Sequence, residues 1–455
     1  MIVKNDMKRS FIYIICALLA SPAIAQTENT SSSIPPSFNA PWSLHQCIDY
    51  AIEHSINIKL QENNVKNQEV ALSTAKNSRL PNLQASASES FGFGRGLTID
   101  NTYANRNTQS TSFNLGSDVP LYTGGQITNQ IQQSKLNLQA AIAELERAKE
   151  NASVQVVSAY LEAVYQKDLV AVAERQLELS RNQEHRIDLL FHNGKVAETD
   201  LAEAKSHVAS DELELTKQKN AAMLAMLDLS QLLELPTPEQ FDVQQPETYD
   251  PSTVVLPAPD AIYAEALNIK PQIQSGKLSV QSAERGVRIA QAGHYPSLHF
   301  SAGMGSNYYK TSGFEAASFG KQLEDNFNQS LGISLSVPIF NRFATRNAVR
   351  QARLQVTTEQ LHLEETQKAL YKEIQQAYYN ALAAQKQCAN SDVALAASQT
   401  SFNLMQKKYE NGKATATEYQ ESKIALTKAE STALQARYTF LFRQKILEFY
   451  RGTKF

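Results

Sequence analysis

An internal duplication constrains the fold of this chain more than any other feature of its sequence. The motif VPLY at 119–122 recurs as VPIF at 337–340, and FHNGK at 191–195 recurs as YENGK at 409–413. Both motifs recur at one common offset of 218, so the spacing from the proline to the asparagine is identical in the two halves. An ungapped repeat of this kind indicates an element of fixed dimension in each half.

Each half contains a long segment without helix-breaking residues. No proline or glycine interrupts 126–191, and the corresponding segment of the second half is equally uninterrupted. Apolar and small residues recur in both on a seven-residue frame, which is typical of coiled-coil helices. We predict helices over 125–191 and 343–410, each about 100 Å long at ~1.5 Å per residue. The residues on the two frames are Leu138, Ile142, Leu145, Ala152, Val156, Ala159, Ala163 and Val170, and Leu363, Leu370, Ile374, Ala377, Ala381, Ala384, Leu395 and Phe402.

Asn-Gly pairs end both long segments. Glycine suits the left-handed conformation that follows a helix C-terminus, so return helices are predicted over 197–235 and 415–451. Shorter helical stretches are predicted over 42–80 and 260–294. The first repeat then covers 26–235 and the second 260–455, joined by a proline-rich linker over 236–259.

Four segments alternate with a period of two residues, and we predict strands over 82–95, 109–121, 297–309 and 329–340. One face of each is apolar and the other is small or polar, with Glu89 as the discordant member. Such strands are typical of a transmembrane barrel, although an antiparallel sheet on a soluble core is the commoner alternative. Four strands cannot close a barrel in lipid, so several copies must contribute. Three copies would give twelve strands, and two copies remain an alternative.

The N-terminus has the pattern of a secretory signal peptide. Lys8 and Arg9 precede the apolar run Phe11–Ala20, and Ala23-Ile24-Ala25 predicts cleavage after Ala25. Lipidation at Cys16 is disfavoured because the bulky Ile15 precedes it. After Ala25, no apolar segment reaches the length of roughly 18 residues that a transmembrane helix needs.

Composition argues against several classes of protein. A net charge of −3 and a single Trp do not indicate a nucleic-acid binder. Three cysteines without a CxxC motif predict neither a disulfide framework nor a zinc site. The eight histidines are scattered, and no nucleotide-binding motif or nucleophile constellation is present. We therefore predict no enzyme, catalytic residue, metal or cofactor.

The duplication, the paired long helices and the four strands together resemble the TolC-like outer-membrane efflux protein family, from Trp42 to Gly452. The resemblance implies a mainly helical protein with a transmembrane β part in the outer membrane of a Gram-negative bacterium. It further implies a homotrimer with a twelve-stranded barrel in outer-membrane lipid and a periplasmic tunnel of coiled-coil hairpins. The tunnel would dock with a periplasmic adaptor and an inner-membrane pump of the RND or ABC type.

The same resemblance assigns a break between stacked helices to Asn268-Ile269-Lys270-Pro271. The corresponding Asn57-Ile58 lacks a proline, so we expect a smoother break in the first half. The resemblance also predicts that the adaptor docks at the two helical tips. Their residues are Asn193, Gly194, Lys195, Asn411, Gly412 and Lys413.

Gate residues follow from the resemblance position by position. Tyr409 corresponds to the gate-linking tyrosine and Asp200 to its acidic partner. Glu418 and Glu421 correspond to the acidic ring of the periplasmic entrance, and their spacing of three places them on one helical face. The alternative for both is a solvated helix N-terminus, where acids are favoured. Ala414 stands where the family has a gate arginine.

These observations predict a passive export duct driven by a partner pump. A soluble periplasmic coiled-coil adaptor would explain the helices but not the strands. A small-solute porin would explain the strands but not helices of about 100 Å. No residue pattern selects among drugs, metal ions and secreted proteins as cargo.

Overall fold

The computed structural model describes residues 41–97, 101–235, 241–245 and 255–453. The predicted signal peptide and most of the linker over 236–259 lie outside the described residues. None of the helices within these ranges is long and apolar enough to cross a membrane. The helices are α1 (Leu44–His54), α2 (Ile56–Asn77), α3 (Gln126–His192), α4 (Glu198–Leu232), α5 (Pro259–Ile269), α6 (Pro271–Ala292), α7 (Phe319–Asp325), α8 (Ala344–Glu410) and α9 (Ala416–Tyr450).

The duplication extends to the length of each helix. α3 and α8 each have 67 residues, and α4 and α9 each have 35, all at an offset of 218. α1 and α5 each have 11 residues, and α2 and α6 each have 22, at an offset of 215. The offset changes by three residues only across the strands, so the helical parts of the two repeats keep one common register.

The break between stacked helices is as sharp in the first repeat as in the second. Ser55 separates α1 from α2 with φ −55° and ψ 126°, and Lys270 separates α5 from α6 with φ −70° and ψ 125°. The expectation of a smoother break near Asn57 was therefore wrong. The break lies at Ser55, and Ile58 is buried just after it, as Ile273 is in the second repeat.

The main sheet has four antiparallel strands in the order β1-β4-β5-β6. The described strands are β1 (Gln84–Gly92), β2 (Arg95–Leu97), β3 (Tyr103–Asn105), β4 (Thr108–Tyr122), β5 (Ser297–Thr311) and β6 (Asn328–Ser336). β2 and β3 form a separate hairpin, which the sequence analysis did not predict. β1 and β6 are each paired on one side only, so the sheet has two free edges. β6 ends four residues before the predicted 340, since the chain leaves the ladder ahead of Pro338, which lacks a backbone N–H.

Side chains from α7 and from Asn326, the residue after it, bond the edge of β5 beyond the point where β6 begins. The last residue of β5 opposite β6 is Gly305. Past it, the amide of Gln322 accepts from Tyr309 N at 2.9 Å and donates to Tyr309 O at 3.1 Å. Asn326 Nδ2 donates to Asn307 O at 2.7 Å. The two amides thus pair backbone groups that a longer β6 would have paired.

Buried residues concentrate where the stacked helices meet the long ones. One apolar cluster joins α5, α6, α8 and α9 and consists of Ile262, Ala266, Ile273, Leu370, Ile374, Ala377, Ala381 and Leu447. The ammonium group of Lys270 lies beside this cluster, 3.2 Å from a carboxylate oxygen of Glu150 and 3.3 Å from the ring centre of Phe449. Carboxylate and ring together compensate a buried cation at the helix break.

The N-terminal segment and part of the linker are fastened together against α3. Trp42 N donates to Asp242 O at 2.8 Å, and Gln244 N donates to Trp42 O at 3.0 Å. The buried Tyr160 hydroxyl of α3 bonds the carbonyl oxygens of both Trp42 and Gln244. Chain segments that are far apart in the sequence therefore meet at one point on the long helix.

Two consecutive left-handed residues connect each long helix to the strand before it. Gly124 and Gly125 have φ of 62° and 83°, and Arg342 and Phe343 have φ of 55° and 61° at the equivalent positions. A Cβ at Gly124 would lie 2.8 Å from the Cβ of Tyr295, whereas a Cβ at Gly125 would meet nothing closer than 3.6 Å. The turn is therefore the same in both repeats, but only the first uses glycine.

Gly124→Ala should lower the thermal melting temperature more than Gly125→Ala does. Both changes place a side chain in left-handed backbone, which is unfavourable by about 1 kcal/mol. Only Gly124→Ala adds an overlap with Tyr295. Circular dichroism of the detergent-solubilised protein would measure the difference. Equal melting temperatures for the two variants would show that the close approach at Gly124 relaxes freely.

Candidate gate at the helical tips

The two tip turns have the same hydrogen-bonded geometry. In the first, Gly194 has φ 69°, Gly194 N donates to Phe191 O at 2.8 Å, and Lys195 N donates to Leu190 O at 2.9 Å. In the second, the corresponding values are φ 66° at Gly412, 3.1 Å to Tyr409 O and 2.8 Å from Lys413 N to Lys408 O. This is the Schellman arrangement, which satisfies the last helical carbonyls and requires a left-handed residue.

Asn193 and Asn411 reinforce these turns from the C-cap position, directly after the last residue of each long helix. Asn193 Nδ2 donates to Leu189 O at 2.6 Å, and Asn411 Nδ2 donates to Lys407 O at 2.7 Å. Each asparagine thus bonds the carbonyl one turn earlier in its own helix. These hydrogen bonds of the turns all lie within one hairpin.

Asp200 and Glu418 are the same position in the two repeats, the third residue of the return helix. Glu418 Oε2 accepts from Thr415 N at 2.8 Å, and Thr415 Oγ1 accepts from Glu418 N at 3.2 Å, forming a capping box. Asp200 accepts from Ala197 N at 3.1 Å, but alanine cannot return the bond. Hydrogen bonds from Thr415, the backbone N–H first, hold the pKa of Glu418 below its usual range.

Glu421 lies one turn after Glu418 and is solvent-exposed on α9. Among the residues that the structure describes, its carboxylate has no hydrogen bond or ion pair. The carboxylate of Glu418 therefore caps α9, whereas that of Glu421 presents an unpaired negative charge one turn away.

Tyr409 lies between the two hairpins. Its hydroxyl oxygen accepts from Gln183 Nε2 of α3 at 2.7 Å, and its ring stacks on Tyr419 of α9 with centres 4.9 Å apart. Burial raises the pKa of the Tyr409 hydroxyl. The contact of Tyr409 is therefore with Gln183, while the carboxylate of Asp200 caps its own helix.

A guanidinium group reaches this contact from α3. Arg186 Nη2 donates to Glu410 O at 2.8 Å, and the guanidinium carbon lies 5.5 Å from the ring centre of Tyr409. Ala414 contributes no cation at the second tip. No sequence pattern singled out Arg186, because a polar residue outside the apolar frame of a long helix usually faces solvent.

A buried lysine forms a second contact between the hairpins. Lys423 of α9 is 2% exposed, and its ammonium group bonds Ser180 Oγ of α3 and, at 2.8 Å, Asp211 Oδ2 of α4. Burial lowers the pKa of Lys423, and the hydrogen bond and charge of Asp211 partly oppose this effect. Lys423 occupies an apolar-frame position between Tyr419 and Leu426. That irregularity was the only sequence signal for this contact.

Polar contacts thus fasten the second hairpin to the first at several levels. Gln183 and Arg186 bind it near the tip, and Ser180 and Asp211 bind it farther from the tip. Farther still, Thr427 Oγ1 donates to Gln176 Oε1 at 2.7 Å. The Tyr438 hydroxyl donates to Asp168 Oδ2 at 2.6 Å. Such contacts can exchange with water when the hairpins move apart, unlike a packed apolar core. The arrangement therefore suits an element that opens.

A family model described as outer membrane efflux protein matches residues 47–234 and 262–453, which are the two repeats. The chain belongs to the outer membrane efflux protein family. Members of this family are channels, so the protein is an exit duct for efflux in the outer membrane of a Gram-negative bacterium, with a periplasmic part, and is not an enzyme. The resemblance found in the sequence is confirmed.

Individual relatives agree with this assignment. The chain is 23% identical over 369 residues to the outer membrane protein TolC of Salmonella enteritidis, covering 79% of this chain and 74% of TolC. It is 21% identical over 388 residues to the outer membrane efflux protein BepC of Brucella suis, covering 83% and 79%. The outer membrane protein VceC of Vibrio cholerae superposes with a TM-score of 0.73 at 17% identity, covering 90% of this chain and 96% of VceC. The predicted mainly helical fold with paired hairpins is thereby confirmed.

Lys423→Met should destabilise the duct because it leaves the half-buried Asp211 carboxylate without its cation. Breaking a buried ion pair from one side costs about 3 kcal/mol or more. Lys423→Met combined with Asp211→Leu should recover much of this loss. Chemical unfolding of the two single variants and the double variant would give the coupling energy. Purely additive losses would show that the two groups do not act as a pair.

The same pair gives a pH dependence. The folded-state pKa of Lys423 lies below its ordinary value, so the unfolded chain binds more protons in that range. The stability of the wild type relative to Lys423→Met should therefore rise with pH toward the ordinary lysine pKa of 10.5. Denaturant unfolding of both proteins at neutral and at alkaline pH would measure this difference.

Proposed function

We propose that three copies of the chain assemble into a continuous duct in which four strands from each copy close a twelve-stranded barrel. The observation that carries this proposal is the pair of free strand edges, β1 and β6. Unpaired backbone groups at an edge are strongly unfavourable in hydrocarbon, so each edge needs a neighbouring strand. Leu331, Ile333 and Leu335 of β6 are exposed on one face, as lipid-facing residues would be.

The repeat also predicts how the two edges pair. Gly116 of β4 lies opposite Gly303 of β5 within the chain. If β6 of one copy meets β1 of the next in the same way, the offsets of 218 and 215 place Ser334 opposite Ser88. The boundary between copies would then repeat the boundary between the two halves of one chain.

Exposed apolar residues on the outer helices support the same assembly. Leu354 and Leu361 of α8 are 69% and 60% exposed, and Leu60 and Val70 of α2 are exposed to a similar extent. α2 packs on α3 and α8 packs on α6, so each of these two helices has an uncovered side. Packing α8 of one copy against α2 of the next would bury both sets.

The detergent-extracted protein should be a trimer by native mass spectrometry. Leu354→Lys combined with Leu361→Lys should shift it toward monomer, because the charges would face an apolar surface of the next copy. Gln355→Lys combined with Gln360→Lys adds the same charge to the same helix and should leave the trimer intact. A wild-type monomer or dimer would contradict the assembly.

The same proposal places the tips at the periplasmic end, where they dock with hairpins of an adaptor that links the duct to an inner-membrane pump. The chain has no nucleotide-binding motif, so the pump supplies the energy. The Schellman turns present Asn193, Lys195, Asn411 and Lys413 on rigid backbone, which favours a docking role.

Gly194→Val combined with Gly412→Val should reduce export while leaving the amount of protein in the outer membrane near normal. Both glycines are left-handed with open space around the Cβ position, so valine would distort the turn without a clash. Gly320→Val is the control, since Gly320 also has open space but no left-handed φ. Unchanged export by the double variant would count against docking through the tips.

The acidic residues near the second tip complete the proposal. In a trimer, Glu418 and Glu421 would place six carboxylates around the entrance, where the summed negative potential attracts cations. Asp200 would add charge at the neighbouring tips. The gate-linking role of Tyr409 rests on its contacts with Gln183 and Arg186, whose loss would loosen the second hairpin near its tip.

Glu418→Gln combined with Glu421→Gln should abolish cation preference in planar-bilayer recordings. Glutamine can still accept from Thr415 N, so the cap and the tip geometry should persist. In the wild type, salt should weaken the preference because the Debye length is about 8 Å near physiological ionic strength. Cation preference that survives in the double variant would place the filter elsewhere, at Asp200 or Asp118.

A further inference from the structure

Three arginines line one open groove near the strands. Arg285 and Arg288 of α6 and Arg353 of α8 border a groove of about 750 Å³ between α3, α6 and α8. Glu284 is the acidic residue in its lining, so the charged groups there have a net charge of +2. The volume lies within the range of sites that hold small organic ligands.

The three guanidinium groups have no partner among the residues that the structure describes. Within those residues, none of them makes a side-chain hydrogen bond or an ion pair, and all three arginines are exposed. Arginines elsewhere are paired, as Arg181 of α3 is with Glu212 at 2.7 Å and Arg437 of α9 is with Asp392 at 3.4 Å. Like charges gathered without a counterion repel each other, so the cluster favours an external anion.

The first repeat reaches a similar charge with different residues. The repeat offsets place Lys66 and Lys76 of α2 where the groove has Gln281 and Gln291, and Lys135 of α3 where it has Arg353. All three lysines are exposed. Both repeats therefore carry positive charge at this height along the helices, although the basic residues differ. The two repeats share the charge and not the individual residues.

The groove lies just below the strands. Arg288 is four residues before the end of α6, about 6 Å along the helix axis, and β5 begins at Ser297. On α8, Arg346 lies on the same helical face as Arg353, and its guanidinium carbon is 5.8 Å from the ring centre of the exposed Phe343. Phe343 packs on Phe340, which is also exposed. Exposed aromatic rings at the end of membrane strands are typical of the lipid–water boundary.

We propose that this groove binds the phosphate group of an anionic phospholipid from the periplasmic leaflet of the outer membrane. Guanidinium groups bind phosphate in a bidentate geometry, and two helices present three of them to one space. The row Arg346, Arg350 and Arg353 leads from the aromatic boundary down α8 to the groove, about 15 Å along the helix axis, so guanidinium groups follow the whole path that a headgroup would take. The site would fix the height of the duct in the membrane independently of its partners.

Native mass spectrometry of the intact wild-type assembly with phosphatidylglycerol or phosphatidylcholine tests the proposal. Phosphatidylglycerol should bind in preference to the neutral lipid. Arg285→Gln, Arg288→Gln and Arg353→Gln together should weaken phosphatidylglycerol binding about tenfold or more, a difference of about 1.4 kcal/mol. The matched control replaces Arg147, Arg175 and Arg181 of α3 with Gln, which removes the same charge away from the groove.

A third variant with lysine at all three groove positions keeps the charge and should retain part of the binding. Three results would overturn the proposal. The first is unchanged phosphatidylglycerol binding by the groove variant. The second is an equal loss in the control, which would indicate a general effect of net charge. The third is a groove that binds inorganic pyrophosphate with no preference for anionic over neutral lipid, which would make it a site for soluble anions.

Discussion

Backbone hydrogen bonding in lipid is the constraint on which the architecture depends. A strand in hydrocarbon must pair on both sides. The described part of the chain forms four strands in its main sheet, with β1 and β6 unpaired on their outer sides. In the proposed assembly other copies close the sheet, and the helices that continue from the strands follow the same closure. The exposed leucines of α8, an outer helix of the chain, fit this assembly.

The equal lengths of corresponding helices follow from the same need for a regular closed wall. A tunnel wall built from both repeats is regular only if corresponding helices begin and end at the same level. The pairs of 67 and 35 residues meet this condition without a single insertion. The two repeats differ near the second tip. There, Lys423, Tyr409 and Tyr419 hold the second hairpin through contacts that the first repeat does not duplicate. The departure from symmetry marks the element that we assign to gating.

Local signals in the sequence predicted the long helices and tip turns well, because Gly194 and Gly412 act through their own backbone and the apolar frames extend over many turns. The same reasoning failed where distant residues cooperate. The contacts of Gln183 with Tyr409 and of Lys423 with Asp211 join residues far apart in the sequence, and no local pattern encodes them. The first break was expected at Asn57 instead of Ser55, because a proline marks the corresponding break in the second repeat. The short helix α7 was not predicted, because the side chain of its Gln322 pairs the backbone of β5 where a strand would otherwise do so.

The register between copies offers the most direct test of the central claim that three chains close one barrel. Within one chain, Ser88 of β1 and Ser334 of β6 are separated by two strands, about 14 Å at ~4.8 Å per strand spacing. Cysteines at these two positions should form disulfides between neighbouring copies, giving covalent trimers on a non-reducing gel. Cysteines at Ser88 and Ser330, which lies four residues or about 13 Å before Ser334 along β6, should not cross-link because their Cα atoms would be too far apart. Trimers from the offset pair but not from the aligned pair, or no cross-link from either, would contradict the proposed closure.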